Sequence, residues 1–183
     1  MPQQHQKPRK PGYTFQDMVS LVYDNNWQLY QVFSDALLIA IFWEETMFNN
    51  VPQEKGSAVG FGQVEPRELW TLKAYGITTS AKGILADPAH SVEVTATYLR
   101  HLYESQTRSS KSRYEALKRY AGYYWDKAAW RLDIIAGWDA CCRSLEALPS
   151  GAWADHPDAV LNALAQARGF VKSDPTIRGA LFP

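Results

Sequence analysis

The stretch Ser34-Asp35-Ala36-Leu37-Leu38-Ile39-Ala40-Ile41-Phe42-Trp43-Glu44-Glu45 decides how the rest of the chain is read. The unbroken apolar run from Ala36 to Trp43 puts hydrophobic side chains on every face of a helix, and such a helix belongs inside a domain rather than on its surface. Ser34 and Asp35 suit its start. Carboxylates at its other end are unusual, because glutamate is rarely buried without a partner. An apolar setting disfavours the charged form of a carboxyl group and so keeps it protonated near neutral pH, as a general acid that cleaves a glycosidic bond must be.

Beyond this helix the chain changes character. Between Asn49 and Glu65, Pro52, Gly56, Ser57, Gly60 and Gly62 break any helix, which predicts a loop with a short β-hairpin. Glycines there let backbone amides approach a sugar ring closely. Glu65 closes the loop, and Pro66 suits the first turn of a helix through Leu72 that stops at Gly76. A buried helix ending in carboxylates, a glycine-rich loop and a closing carboxylate are together the parts of a glycosidase cleft.

Helical spacing recurs on both sides. Upstream, Thr14 is a candidate N-cap for a helix carrying Phe15, Met18, Val19, Val22 and Tyr23, and residues 1–13, with several prolines and no apolar period, read as a flexible leader to one domain over 14–183. Downstream, a second loop contains Gly83, Asp87 and Pro88. Helices are then marked by Val92, Ala96, Leu99 and Tyr103, and by Tyr114, Leu117 and Tyr120, with Gly122 closing the latter. A long helix from about Asp126 to Ala147 sets Trp130, Ile134, Trp138, Cys141 and Leu145 on one face, and Asp155 caps a last helix with Pro157 in its first turn. The predicted class is mostly α, with little strand.

Composition narrows the partners. The 183 residues are 46% apolar and 13% aromatic, enough for a buried core in a single domain. The 19 Lys and Arg balance 19 Asp and Glu, so no global field draws the chain to nucleic acid. Locally, Arg100 to Arg131 holds eight basic residues against three acids, which is either a solvated helical face or a contact for an anionic polymer. Adjacent Cys141 and Cys142 read as small buried hydrophobes rather than a disulfide or metal pair. His90, His101 and His156 fall singly, so no metal or other cofactor is expected. No run of 18 apolar residues predicts a membrane span, and Met1 to Gly12 lacks the hydrophobic stretch of a secretion signal. The expectation is synthesis in the cytoplasm without a cleavable signal.

The motifs then become specific. Trp43-Glu44-Glu45-Thr46-Met47-Phe48-Asn49 resembles the Q-E-S-x-F-N signature of soluble lytic transglycosylases and goose-type lysozymes, members of the lysozyme-like superfamily. Gly56-Ser57-Ala58-Val59-Gly60-Phe61-Gly62-Gln63 resembles their S-x-A-x-G-L-M-Q segment. Asp87-Pro88 with Ser91-Val92, Thr95 and Tyr98-Leu99 is similar to their D-P-x-x-N-I-x-x-G-x-x-Y-L helix, and Ala116-Leu117-Lys118-Arg119-Tyr120-Ala121-Gly122 to A-L-x-x-Y-N-A-G. The likeness covers residues 34–123 in family order. Thr46, Met47, Phe61, Gly62 and Ser91 depart from the usual residues, and the last Asn is missing.

What the resemblance implies is an α+β lysozyme-like fold, with a small loop or hairpin region flanking the cleft. The activity would be cleavage of the β-1,4 bond between N-acetylmuramic acid and N-acetylglucosamine in peptidoglycan, with Glu45 as the acid. Glu44 is then a solvated neighbour or a charge that helps hold the proton. Glu65 stands two residues after Gln63, where goose-type lysozymes carry an Asp: facing Glu45 across about 6.5–9.5 Å it would act as the base of an inverting hydrolase. Otherwise a single acid leaves a 1,6-anhydro product, and Glu65 is a charge favoured at a helix start. Gln63, Gly60, Gly62, Tyr98, Tyr120 and Phe48 are the candidate substrate contacts, Phe48 being also a packing residue that fixes the helix end. Rival readings are a chitinase-like glycosidase and a non-catalytic glycan-binding or structural module. Without a secretion signal, an enzyme acting in the periplasm or wall fits a delivered antibacterial toxin with a cognate immunity protein, or a phage lysis or tail protein.

Overall fold

The computed structural model describes residues 10–27, 32–149, 152–168 and 175–183. The expected leader lies outside these up to residue 9, while the four residues before Thr14 are tied down: Pro11 is buried, the Gly12 N–H donates to Met47 O at 3.4 Å, and Tyr13 meets Phe61 edge-on at 5.5 Å.

Helix α1 (Phe15–Asn25) starts where Thr14 predicts, the Asp17 N–H donating to Thr14 Oγ1 at 3.1 Å. The apolar run forms α2 (Asp35–Thr46), buried on all sides from Ala36 to Trp43. Each large side chain on it contributes about 1.5–3 kcal/mol by leaving water, so the position of α2 is fixed by its own composition. A 3₁₀ helix over Pro66–Tyr75 ends at Gly76 in the left-handed region (φ 80°), as its glycine allows. Helices α3 (Ala81–Ala86), α4 (Pro88–Glu104), α5 (Arg113–Tyr120), α6 (Ala129–Glu146), α7 (Pro157–Ala167) and α8 (Pro175–Leu181) complete the order, with short 3₁₀ turns at Arg108–Ser110 and Trp153–Asp155.

The fold is mostly helical, as the sequence predicts. Among the described residues the expected hairpin is reduced to isolated antiparallel bridges, Pro52 to Val59 and Val59 to Val64. Several local expectations are corrected. The loop around Gly83 contains α3, a single short turn-and-a-half that Ser80 caps through the Gly83 N–H at 3.3 Å. The buried face of α6 runs through Ile135, Trp138, Cys141 and Leu145, leaving Trp130 at the exposed start of the helix with the Arg131 guanidinium 4.4 Å from its ring centre. Asp155 ends a 3₁₀ turn, and His156 precedes α7.

Two hydrophobic clusters organise the molecule. The larger surrounds α2 with α1, α6 and α7, and α4 closes it through Val92, Ala96 and Leu99. The smaller joins Val59, Val64, Leu69, Leu72, Ile77, Ile84 and Val94, tying the glycine-rich loop and the 3₁₀ helix to α3 and α4. Tyr98 packs against both. Among the described residues no helix is long and apolar enough to cross a membrane, and no group of His, Cys, Asp and Glu could hold a metal ion.

Candidate active site

The end of α2 is built with unusual backbone. Met47 and Phe48 both take positive φ, 52° and 59°, although neither is glycine. Left-handed conformations cost an L-residue about 1–2 kcal/mol each, so the surroundings must hold them. Met47 is buried, its N–H donating to Trp43 O at 3.0 Å, and the Phe48 N–H donates to Phe42 O at 3.3 Å. Asn49 Nδ2 donates to Thr46 O at 2.9 Å and Met47 O at 3.0 Å. Phe48 is wholly buried between Phe15 and Trp43, with ring centres 6.5 and 5.1 Å away. It therefore fixes the helix end, and as a substrate contact it is withdrawn.

This turn sets Glu44 and Glu45, both partly buried, at the last turn of α2. Burial pushes the Glu44 carboxyl up to about 7, against the opposing pull of the Arg168 guanidinium. Glu45 lies well above the usual carboxylate range, first because burial disfavours its charge and then because Glu44 is beside it, while Arg168 and Arg131 pull the other way. Tyr120 is next to this acid: burial and the Glu45 charge hold its phenol neutral far above ordinary pH.

The glycine-rich loop is fastened to three helices by the positions that carry the motifs. Thr46 Oγ1 donates toward Phe42 O and Phe61 O, at 3.1 and 3.2 Å, joining α2 to the loop. The Phe61 N–H donates to Ser91 Oγ of α4 at 3.0 Å. Tyr120 of α5 donates its phenolic hydrogen to Gly62 O at 2.5 Å. Gly60 and Gly62 are both buried, and packing gives each a reason to be glycine. A Cβ on Gly60 would sit 2.5 Å from Ser91 Oγ, and one on Gly62 would sit 2.4 Å from the Tyr120 oxygen. Gln63, at φ 53°, turns its amide nitrogen onto Gly60 O and Val51 O at 2.8 and 3.0 Å, so both its donor hydrogens serve the loop.

A family model described as the transglycosylase SLT domain matches residues 24–130, more than half of the chain. The chain belongs to that family. Members of the SLT family are lytic transglycosylases of the lysozyme-like superfamily that act on peptidoglycan, which places this chain among the enzymes that cleave that polymer. A search of curated proteins and a search of solved structures each found no match.

Within the SLT domain a second set of groups gathers around Tyr98. Glu65 precedes the 3₁₀ helix and accepts a hydrogen bond from Ser57 Oγ at 2.5 Å. Its charge, with those of Glu68 and Arg67, bears on Tyr98, whose phenol burial also holds neutral. Tyr98 and Tyr120 lie with ring centres 5.8 Å apart, and Trp138 meets Tyr120 edge-on at 5.9 Å. The charges that bear on Glu45 come instead from Glu44, Arg168 and Arg131.

Both arginines escaped the sequence reading. Arg131 is the last member of the basic run, but nothing in the run distinguishes it from its neighbours. Arg168 lies 124 positions from Glu44, beyond the SLT domain, and carries no motif. Only the packing of α6 and α7 on α2 brings the two to the acid.

Proposed function

We propose that this SLT domain cleaves the β-1,4 bond between N-acetylmuramic acid and N-acetylglucosamine with Glu45 as its one general acid, leaving a 1,6-anhydro end. The supporting observation is the setting of Glu45: a carboxyl at the tip of an all-buried helix, kept protonated by burial and by Glu44, beside a phenol that stays neutral. Glu45 gives its proton to the bridging oxygen as the anomeric carbon to oxygen bond breaks. The 6-hydroxyl oxygen of the same muramic acid then bonds to that carbon, and its proton returns to the Glu45 carboxylate. No external base is required. Glu65, engaged by Ser57, is assigned to the loop rather than to the reaction. Tyr98, between the two hydrophobic clusters, and the Gln63 oxygen are the groups assigned to the glycan.

The test is mass spectrometry of fragments released from purified sacculi. Anhydro ends from the wild type and none from Glu45→Gln, which keeps the shape and removes the acidic proton, support the assignment. Ordinary reducing ends would instead establish hydrolysis and return Glu65 to the role of base. Turnover of chitin oligomers without turnover of peptidoglycan would replace the substrate.

A further inference from the structure

Helices α6 and α7 grip the buried helix at both of its ends. At its start, Ser34 Oγ and Cys142 Sγ of α6 lie 3.4 Å apart in a hydrogen bond. At its finish, Arg168, immediately after α7, donates from Nη1 to Glu44 O at 2.6 Å and lies 3.4 Å from Trp43 O. The last carbonyls of a helix have no partner within it, and they form its negative end, so a guanidinium there answers both needs. The approach is set by Gly137 of α6: a Cβ there would fall 2.9 Å from Gln166 O and 3.3 Å from Ala167 Cα, so its absence lets the end of α7 close on α6 and delivers the next residue to α2. All of this lies beyond residue 130, where the SLT match stops, except the α2 groups themselves.

We propose that Arg168 is a positioning residue for the acid, holding the last turn of α2 so that Glu44 and Glu45 are presented together, and that the segment beyond the SLT domain is thereby part of the catalytic machinery. This rests on the reading of Glu45 as the acid. A general acid must keep its proton at working pH and yet give it up readily, and burial alone satisfies only the first condition. Among the described residues, the ionisable groups around the glutamate pair are Arg168 after α7, Arg131 on α6 and Tyr120 on α5. The two guanidiniums are the cations among them, and each opposes burial at Glu45. Arg131 is occupied elsewhere as well: its Nη1 donates to Ala121 O, and its Nε stands 3.5 Å from Asp126. Arg168 is the one bonded directly to the backbone of the acid's neighbour.

The experiment follows glycan release from sacculi against pH for the full chain, alongside carbon-13 NMR titration of its glutamate carboxyls, in wild type, Arg168→Gln, Arg168→Lys and Gly137→Ala. Removing the cation is expected to move the titrations of Glu44 and Glu45, and the alkaline limb of the rate, to higher pH, with a lower plateau because the acid is weaker. Arg168→Lys keeps the charge but loses the planar fork. Its limb is expected where the wild type has it, with a reduced plateau; if Arg168→Gln does not fold, Gly137→Ala takes its place, and titrations unmoved in that variant would overturn the proposal. Gly137→Ala, which displaces Arg168 without altering a charge, is expected to fall between the two. A folded Arg168→Gln whose rate drops equally at every pH, with both titrations unmoved, would overturn the proposal and leave Arg168 a structural residue. If the wild type releases no glycan while the titrations shift as expected, the failure belongs to the assigned reaction, not to the placement of Arg168.

Discussion

Tyr120 donates to Gly62 O at 2.5 Å, and the same glycine is pressed so closely on α4 and α5 that a Cβ there would meet Thr95 Cγ2 at 2.5 Å and the Tyr120 oxygen at 2.4 Å. Residues from three of the family motifs thus form one fastener between the loop and helices α4 and α5. Gly62→Ala has no free space to enter, and overpacking of this kind costs about 1–3 kcal/mol. Tyr120→Phe leaves a buried carbonyl short of a partner, at a cost of about 1–3 kcal/mol. Thermal unfolding of both variants should show a lowered Tm, and wild-type stability in Gly62→Ala would mean that the loop is looser than the contacts imply.

The glutamate pair makes stability depend on pH in a stated direction. The folded value of Glu44, about 7, lies above its ordinary 4.5, so the folded state keeps a proton that the unfolded chain releases between those values. Stability is therefore lost as pH rises through that window, the reverse of a salt-bridged carboxylate. Glu45, shifted further in the same direction, extends the loss to higher pH. Glu104 and Glu115, whose pKa values are lowered by Arg100, Lys118 and hydrogen bonds, act in the opposite sense, so the comparison must be with a variant. Denaturant titrations at about pH 5 and pH 7 should show a smaller fall for Glu44→Gln than for the wild type, the difference being on the order of a few kcal/mol at most. Equal falls would show that Glu44 ionises in the folded protein as freely as in the unfolded one.

What was legible in the sequence follows from how local each signal is. Ala36 to Trp43 needs no partner to declare itself buried, and Thr14, Gly76 and Pro66 mark helix ends through bonds or dihedrals confined to a few residues. Carboxylates at the tip of an apolar helix stood out because they are costly without a partner, and the resemblance to Q-E-S-x-F-N is what chose Glu45 over Glu44. The glycines were recognised as necessary, but one reason was out of reach: what stands over Gly60 and Gly62 is Ser91, Thr95 and Tyr120, and distance in the chain hides that. Likewise a helix of Ala81–Ala86 with a glycine inside it has too weak a propensity to be read before α4 and Ser80 support it. Arg168 was invisible because it reaches the helix end through main-chain carbonyls, which leave no pattern in the residue string.

Phe48 separates packing from binding. As a wholly buried ring between Phe15 and Trp43 it should lose about 3–5 kcal/mol on Phe48→Ala, and the left-handed turn at Met47 and Phe48 should loosen with it. Phe48→Leu, which refills most of the space, should recover most of that stability. Calorimetry and rate measurements at a temperature where both variants are folded check this: Phe48→Leu with near wild-type Tm but a strongly raised KM would point to a direct contact with glycan after all.

Glu45 and Glu65 differ in surroundings, and the difference sets what each substitution should do. Glu45 loses an acidic proton on change to Gln, and a positioned general acid is worth about 10²–10⁴ in rate, so Glu45→Gln should retain its fold and lose at least a hundredfold in glycan release. Glu65 is outside the set of charges that bear on Glu45 and is held by Ser57 at 2.5 Å, so Glu65→Gln exchanges one acceptor for another in the loop. It should keep anhydro-ended products and lose less than about tenfold in rate, short of what a catalytic base contributes. Ser57→Ala should behave like Glu65→Gln if the two residues act as one latch, and the double variant should be no worse than either alone. A collapse of activity in Glu65→Gln comparable to that in Glu45→Gln would mean that the second carboxylate takes part in the reaction, and that the single-acid route is wrong.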